Sequence, residues 1–198
     1  MKRIGLFGGS FDPVHNAHVA LARAALDHLG LDELRWVPVG QAWHKQRALA
    51  PSADREAMVA LAIRGEPRFT LERCELQRSG PSYTVDTVRD LQAREQAQWF
   101  LIIGQDQYGQ LHTWHEWPDL IQRVTLAVAG REGAAARPSA ELAATPHAAV
   151  TIPLPRIDAS STELRERIAD GRDYTDMVPD AVARYIDQHH LYRGNPRS

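Results

Sequence analysis

At 198 residues, 43% hydrophobic and 24% charged, the chain has the composition of an ordinary globular protein able to bury a sizeable core. A formal net charge of −2 argues against a general polyanion binder, so any phosphate site must come from local placement of cations. Cys74 is the lone cysteine, which excludes an intrachain disulfide and fits a reducing cytoplasm, and no apolar run approaches the ~20 residues of a membrane span. The run after Met1-Lys2-Arg3 resembles a signal segment only until Gly8, Gly9, Ser10 and Asp12 cut it.

In chain order, Lys2 to Phe7 reads as a short buried strand closed by Gly8-Gly9. Asn16 to Leu29 reads as a helix, with Val19, Leu21, Ala22, Ala25, Leu26 and Leu29 near helical spacing. A glycine turn between strand and helix suits a phosphate. Glycines let the backbone approach closely, and a first helical turn offers unpaired N–H groups and a favourable dipole. His15 and His18, three apart, share one face of that turn. A glycine turn with two surface histidines is the plainer alternative. The sequence holds no G-x-x-x-x-G-K-[ST], and this loop no G-x-G-x-x-G.

Leu34 to Val39 should form a second, parallel strand, with Pro38 near its end or at a sheet edge. The loop Gly40 to Pro51 carries Trp43, His44 and Lys45; read alone, Lys45 is a solvated lysine. Ser52 to Arg64 reads as a helix with Ser52 as N-cap, and Phe69 to Leu76 as a strand. Gly80-Pro81 is a turn, Ser82 an N-cap, and Tyr83 to Glu95 a helix whose start suits a small carboxylate. Trp99 to Ile103 is apolar throughout and reads as a central strand, followed by Gly104-Gln105-Asp106. Asp106 there can meet a ribose hydroxyl or cap a helix over Gln107 to His112. Trp114 is a candidate to stack on a flat heterocycle, with core packing as the alternative.

Pro118 to Arg123 reads as a short helix and Val124 to Ala129 as a strand, ending at Gly130-Arg131. Glu132 to Pro146 reads as a variable surface segment with one helix over Ser139 to Ala144, and Val150 to Leu154 as a last strand. Ser160 with Glu163 three later is a capping-box pattern. Arg165 then falls near the first turn, where a cation opposes the dipole and makes most sense beside a bound anion. Val178 to Tyr192 is the final helix, with Pro179 at its first position. Strand and helix alternate over at least five strands. That predicts an α/β fold: a Rossmann-like doubly wound parallel sheet with helices on both faces, as one domain over 1–192 and a tail over 193–198.

Gly8 to His18 resembles the [HT]-x-G-H signature of the nucleotidyltransferase superfamily, and more narrowly the opening motif of bacterial nicotinate mononucleotide adenylyltransferases, with Ala17 where that family has Gly. His44-Lys45 matches half of its P-P-H-K element, Ser82-Tyr83-Thr84 its S-Y-T, Gly104 to Asp106 its G-x-D, and Trp114-His115 its W-[HYK] pair. Arg131 matches an R-x step, and Ser160 to Arg165 its S-S-T-x-[IL]-R signature, with Ala159 in place of Ile. The resemblance runs from Lys2 to Tyr192. It implies adenylyl transfer from ATP to nicotinate mononucleotide, giving nicotinate adenine dinucleotide and pyrophosphate. His15, His18 and Arg165 would be catalytic. ATP would lie on Gly8, Gly9, Ser10, Phe11, His15, His18, Lys45, Gly104, Asp106, Ser161, Thr162 and Arg165. The mononucleotide would meet Ser10, Lys45, Ser82, Tyr83, Thr84, Trp114, His115 and Arg131.

Mg²⁺ would be held mainly by the ATP phosphates, since no dense carboxylate cluster appears that could ligate it. ATP and the mononucleotide are the expected partners, with no nucleic acid and no membrane; the oligomeric state stays open, a homodimer included. The alternatives are the same chemistry on nicotinamide mononucleotide or phosphopantetheine, and a nucleotide-binding sensor without turnover. A synthetase-like fragment is disfavoured by the net charge of −2.

Overall fold

The computed structural model describes residues 1–40, 49–131, 137–154 and 159–193, apart from the side chain of Arg131. Its elements in order are β1 (Arg3–Gly9), α1 (Asn16–Leu29), β2 (Glu33–Pro38), α2 (Ser52–Ile63), β3 (Phe69–Leu71) and α3 (Cys74–Gln77). There follow α4 (Thr84–Arg94), β4 (Gln98–Gly104), α5 (Gln105–Gly109), α6 (Trp117–Arg123) and β5 (Thr125–Arg131). The last are α7 (Ala140–Ala143), β6 (Ala149–Leu154), α8 (Ser161–Ala169) and α9 (Asp180–Gln188). Among the described residues, no helix is long and apolar enough to cross a membrane.

Six strands form one sheet in the order β3-β2-β1-β4-β5-β6, each pair parallel. The apolar runs resolve into two faces because side chains alternate along a strand. Phe100 and Ile102 point into one core; Trp99, Leu101 and Ile103 point into the other. Helices α1, α2, α8 and α9 cover the first face, and α4, α5, α6 and α7 the second. A sheet buried on both sides needs such continuous hydrophobic strands. The chain order reverses between β1 and β4, and ligands of open α/β sheets bind at the carboxyl ends beside such a reversal.

Helix α1 spans the expected residues and stops at Gly30, whose left-handed backbone (φ 56°) terminates it. Several boundaries differ from the sequence reading. The strand expected over Phe69 to Leu76 ends at Leu71, because the Glu72 carboxylate accepts the Cys74 N–H (2.9 Å) and opens α3 instead. Pro51, not Ser52, is the N-cap of α2, and Tyr83, not Ser82, that of α4. Helix α5 begins at Gln105 rather than Gln107, because Gln107 Oε1 takes the Gly104 N–H (2.9 Å); Gly104 is the N-cap, and Asp106 lies inside the first turn. Helix α9 is shorter than expected, with Pro179 as its N-cap.

Gly40 closes the exit of β2 against α3. A Cβ there would fall on the Glu75 carbonyl oxygen and lie 3.1 Å from its carbon. Gly65, by contrast, has nothing within 4 Å of the equivalent point. Gly40→Ala is expected to lower the unfolding free energy by about 1–3 kcal/mol, the usual cost of overpacking. Gly65→Ala should stay within ±0.5 kcal/mol or so. Urea denaturation of the two variants measures the contrast.

Candidate active site

The loop after β1 is fixed from below. Phe11 is 1% exposed and its ring packs against Phe7, Trp36 and His18, with centroids 5.5, 5.2 and 5.1 Å away. Its backbone sits at φ 45°, an outlier for a bulky residue that the ring packing holds in place. The Asp12–Pro13 peptide is cis. Gly9 sits close against this ring: a Cβ on it would lie 3.1 Å from Phe11, tighter than an ordinary contact.

His15 is the N-cap of α1 and His18 its third residue. The His15 N–H donates to His18 Nδ1 (3.2 Å), and the two rings stack with centroids 3.7 Å apart. An accepting Nδ1 puts the neutral ring's proton on Nε2, so His18 can donate from that nitrogen. His15 is 6% exposed, and burial pushes its imidazole down to about 4. Its Nδ1 has no hydrogen-bond partner among the described residues. Both rings can therefore donate to phosphate oxygens at neutral pH.

The Ser160 hydroxyl accepts from Glu163 N–H (3.1 Å) and starts α8 as expected. The return half of the capping box is not formed; the Glu163 carboxylate pairs with Arg167 instead (2.8 Å). The next residues reach across to the first loop. Ser161 Oγ donates to the Pro13 carbonyl (3.0 Å), and Arg165 donates to the Asp12 carbonyl (2.7 Å) and to Thr162 Oγ1 (3.1 Å). Arg165 is the fifth residue of α8, in its second turn, so it escapes most of the dipole penalty expected of the first. Residues about 150 apart in sequence thus share one site: Ser10, Phe11, His15 and His18 with Ser161, Thr162 and Arg165.

A second group forms where α4 and α6 begin. Tyr83 is exposed and stacks on His115 with centroids 4.1 Å apart. Trp114 packs against the second core, and the Ser82 hydroxyl is buried with no partner among the described residues. Arg89 braces this corner by pairing with Glu116, with Asp119 (2.6 Å) and with Asp86 (3.2 Å). Glu116 is itself the left-handed N-cap of α6 (φ 47°). Gly104 and Asp106 stand at the carboxyl end of β4, Asp106 exposed, and Gly8 pairs with Val37 near the end of β1. Lys45 lies outside the described residues. Arg131 ends β5, and its side chain is likewise outside them.

Over residues 6–167 the chain matches the family model described as cytidylyltransferase-like. It belongs to the cytidylyltransferase-like family. A probable nicotinate-nucleotide adenylyltransferase of Methylibium petroleiphilum is 54% identical over 196 residues, covering 96% of this chain and 92% of that one. One of Neisseria meningitidis serogroup B, of the same description, is 40% identical over 97% and 99%. A Plasmodium falciparum nicotinic acid mononucleotide adenylyltransferase, solved in complex with NaAD, superposes with a TM-score of 0.80 at 20% identity, covering 97% and 98%. At that identity the likeness shows the fold, and the six parallel strands agree with it.

Three residues packed around this candidate site, Asp12, Arg55 and Tyr192, escaped the sequence reading. Asp12 is fully buried, and its carboxylate accepts from the Ala50 N–H (3.2 Å) and the Tyr192 hydroxyl (2.7 Å). Arg55 is 1% exposed and donates to the carbonyls of Ser10 (3.0 Å), Val39 (2.8 Å), Gly40 (3.2 Å) and Ala50 (3.0 Å). Burial pushes its guanidinium down, opposed by the Asp12 carboxylate. The available signal was an arginine in phase with the apolar stripe of α2, since Arg55, Met58 and Val59 are the spacing of one helical face.

His15 makes a pH prediction. Its folded value of about 4 lies below the usual 6.5, so the unfolded chain binds its proton first as pH falls. Stability from this group is therefore fully present above the unfolded value and is lost as pH drops from about 6.5 to about 4. The full loss is about 3 kcal/mol. Chemical denaturation at pH 7 and pH 4 should show a pH-dependent loss smaller by that order in His15→Asn than in the wild type.

Proposed function

We propose that this chain transfers the adenylyl group of ATP to nicotinate mononucleotide, producing nicotinate adenine dinucleotide and pyrophosphate in NAD biosynthesis, as a cytoplasmic enzyme with one catalytic domain over 1–192. The observation that carries the reading is the meeting of the first and last motifs: Ser161 and Arg165 hydrogen-bond to the carbonyls of Pro13 and Asp12, beside the stacked histidines. The names of relatives 54% and 40% identical over nearly the whole chain support the choice of acceptor.

The acceptor's 5′-phosphate oxygen attacks the α-phosphorus of ATP. The bond from that phosphorus to the bridging oxygen breaks, and its electron pair leaves with pyrophosphate. A phosphate is already anionic, so the reaction needs no protein base and no covalent nucleophile. Catalysis is positioning and charge stabilisation. His15 and His18 donate to the α-phosphate and bridging oxygens, where charge develops. Arg165 serves the β/γ end with Lys45, and Ser161 and Thr162 line the phosphates. Gly8, Gly9 and Ser10 give the close backbone approach. Phe11, with its ring buried, serves through its backbone. Gly104 and Asp106 meet the ATP ribose.

On the acceptor side, Trp114 and the Tyr83–His115 pair offer rings to the pyridine. The Ser82 hydroxyl, unpartnered among the described residues, and the first turn at Thr84 suit its carboxylate. Ser10, Lys45 and Arg131 complete the acceptor's phosphate end.

The site's donors are N–H and O–H groups, which suit phosphate oxygens. No cluster of three His, Cys, Asp or Glu that could hold a metal occurs among the described residues. Mg²⁺ would be held by ATP oxygens and water rather than by side chains of this chain, and it would supply charge screening at the phosphates.

The test is pyrophosphate release with ATP and Mg²⁺, offering nicotinate mononucleotide, nicotinamide mononucleotide and phosphopantetheine separately. The expected outcome is a kcat/KM for the acidic mononucleotide at least about tenfold above the other two. A preference for another acceptor would keep the chemistry and discard the pyridine-carboxylate site. ATP binding without release from any would favour a sensor.

A further inference from the structure

We propose that Tyr192 is a positioning residue for adenylyl transfer, acting from the far end of the chain through Asp12. The inference rests on the adenylyl-transfer reading for its kinetic consequence alone. After α9 the backbone turns through two left-handed residues, His190 (φ 53°) and Tyr192 (φ 62°). A tyrosine in that region is a costly outlier and persists where the surroundings over-determine it. Here the turn lays the half-buried ring on the first core and brings its hydroxyl to Asp12 Oδ1 at 2.7 Å, across 180 positions of sequence.

Asp12 is the point where the site is held. Its carboxylate takes Tyr192 and the Ala50 N–H, while its main-chain carbonyl takes Arg165 at 2.7 Å. Arg55, beneath the same loop, ties the Ser10 carbonyl to those of Val39, Gly40 and Ala50. The loop carrying His15 is therefore fixed at Ser10 by Arg55 and at Asp12 by Tyr192. Loss of the Tyr192 hydroxyl takes one donor from the buried Asp12 carboxylate, and the loop shifts as that carboxylate is re-satisfied. Small displacements of phosphate-positioning groups cost rate rather than binding.

Tyr185 provides the matched control. It is on α9, and its hydroxyl also donates to a carboxylate, but that of Asp54 on α2 at 2.8 Å rather than one on the loop. Removing either hydroxyl weakens the docking of the C-terminal segment, but only Tyr192→Phe should disturb Asp12.

The experiment compares Tyr192→Phe, Tyr185→Phe and wild type by hydrogen exchange of the ligand-free proteins and by steady-state kinetics. Tyr192→Phe is expected to speed amide exchange over residues 10–16 and to lower kcat about tenfold with the KM for ATP within about threefold. Tyr185→Phe is expected to leave both at wild-type values. Unchanged exchange over 10–16 in Tyr192→Phe, an unchanged kcat, or the same changes in Tyr185→Phe would overturn the proposal. If the wild type transfers no adenylyl group, the adenylyl reading fails by itself, and the substrate-free exchange still decides whether Tyr192 holds the loop.

Discussion

The hydrogen bond from Arg165 to the Asp12 carbonyl joins the first loop and α8 at one place, and the candidate phosphate site depends on it. With a net charge of −2, the protein has no surplus of cations to spread over a surface. It must bring one guanidinium from α8 to a loop that ends β1. The bond also sets where the arginine stands, since a main-chain carbonyl moves less than a carboxylate on a flexible stem. Ser161, bonded to the neighbouring Pro13 carbonyl, fixes the start of α8 against the same loop.

The sheet makes that meeting possible. Six parallel strands place every carboxyl end along one edge, and the order β3-β2-β1-β4-β5-β6 puts the reversal beside β1. The loop after β1 and the turn after β4 flank that crevice. The loop's own strain, at Phe11, is held by three aromatic neighbours in the first core. Packing energy on the buried side thus maintains an uncommon backbone on the open side.

The fold was legible in the sequence because the strongest signals are periodic. Trp99 to Ile103 and Asn16 to Leu29 state strand and helix by apolar pattern alone, and both form where expected. Boundaries went astray where a side chain captured the backbone locally. Glu72 turned the end of β3 into α3, and Gln107 began α5 two residues early. The same limit governs the candidate site. His15, His18, Ser161 and Arg165 announce themselves as polar residues in motifs at element ends. Asp12, Arg55 and Tyr192 act through bonds to partners 5 to 180 positions away, which no local pattern encodes. Arg55 was the nearest to legible, as a charge in an otherwise apolar stripe.

The central claim is that His18 stabilises the transition state of a transfer between phosphates. Single-turnover kinetics of His18→Ala test it most directly, with ATP, Mg²⁺ and nicotinate mononucleotide at saturation. The account predicts a chemical step slowed by about 10²-fold or more, with the dissociation constants of both substrates changed far less. A His18→Ala enzyme with a wild-type rate, or one whose whole defect lies in substrate binding, would contradict it.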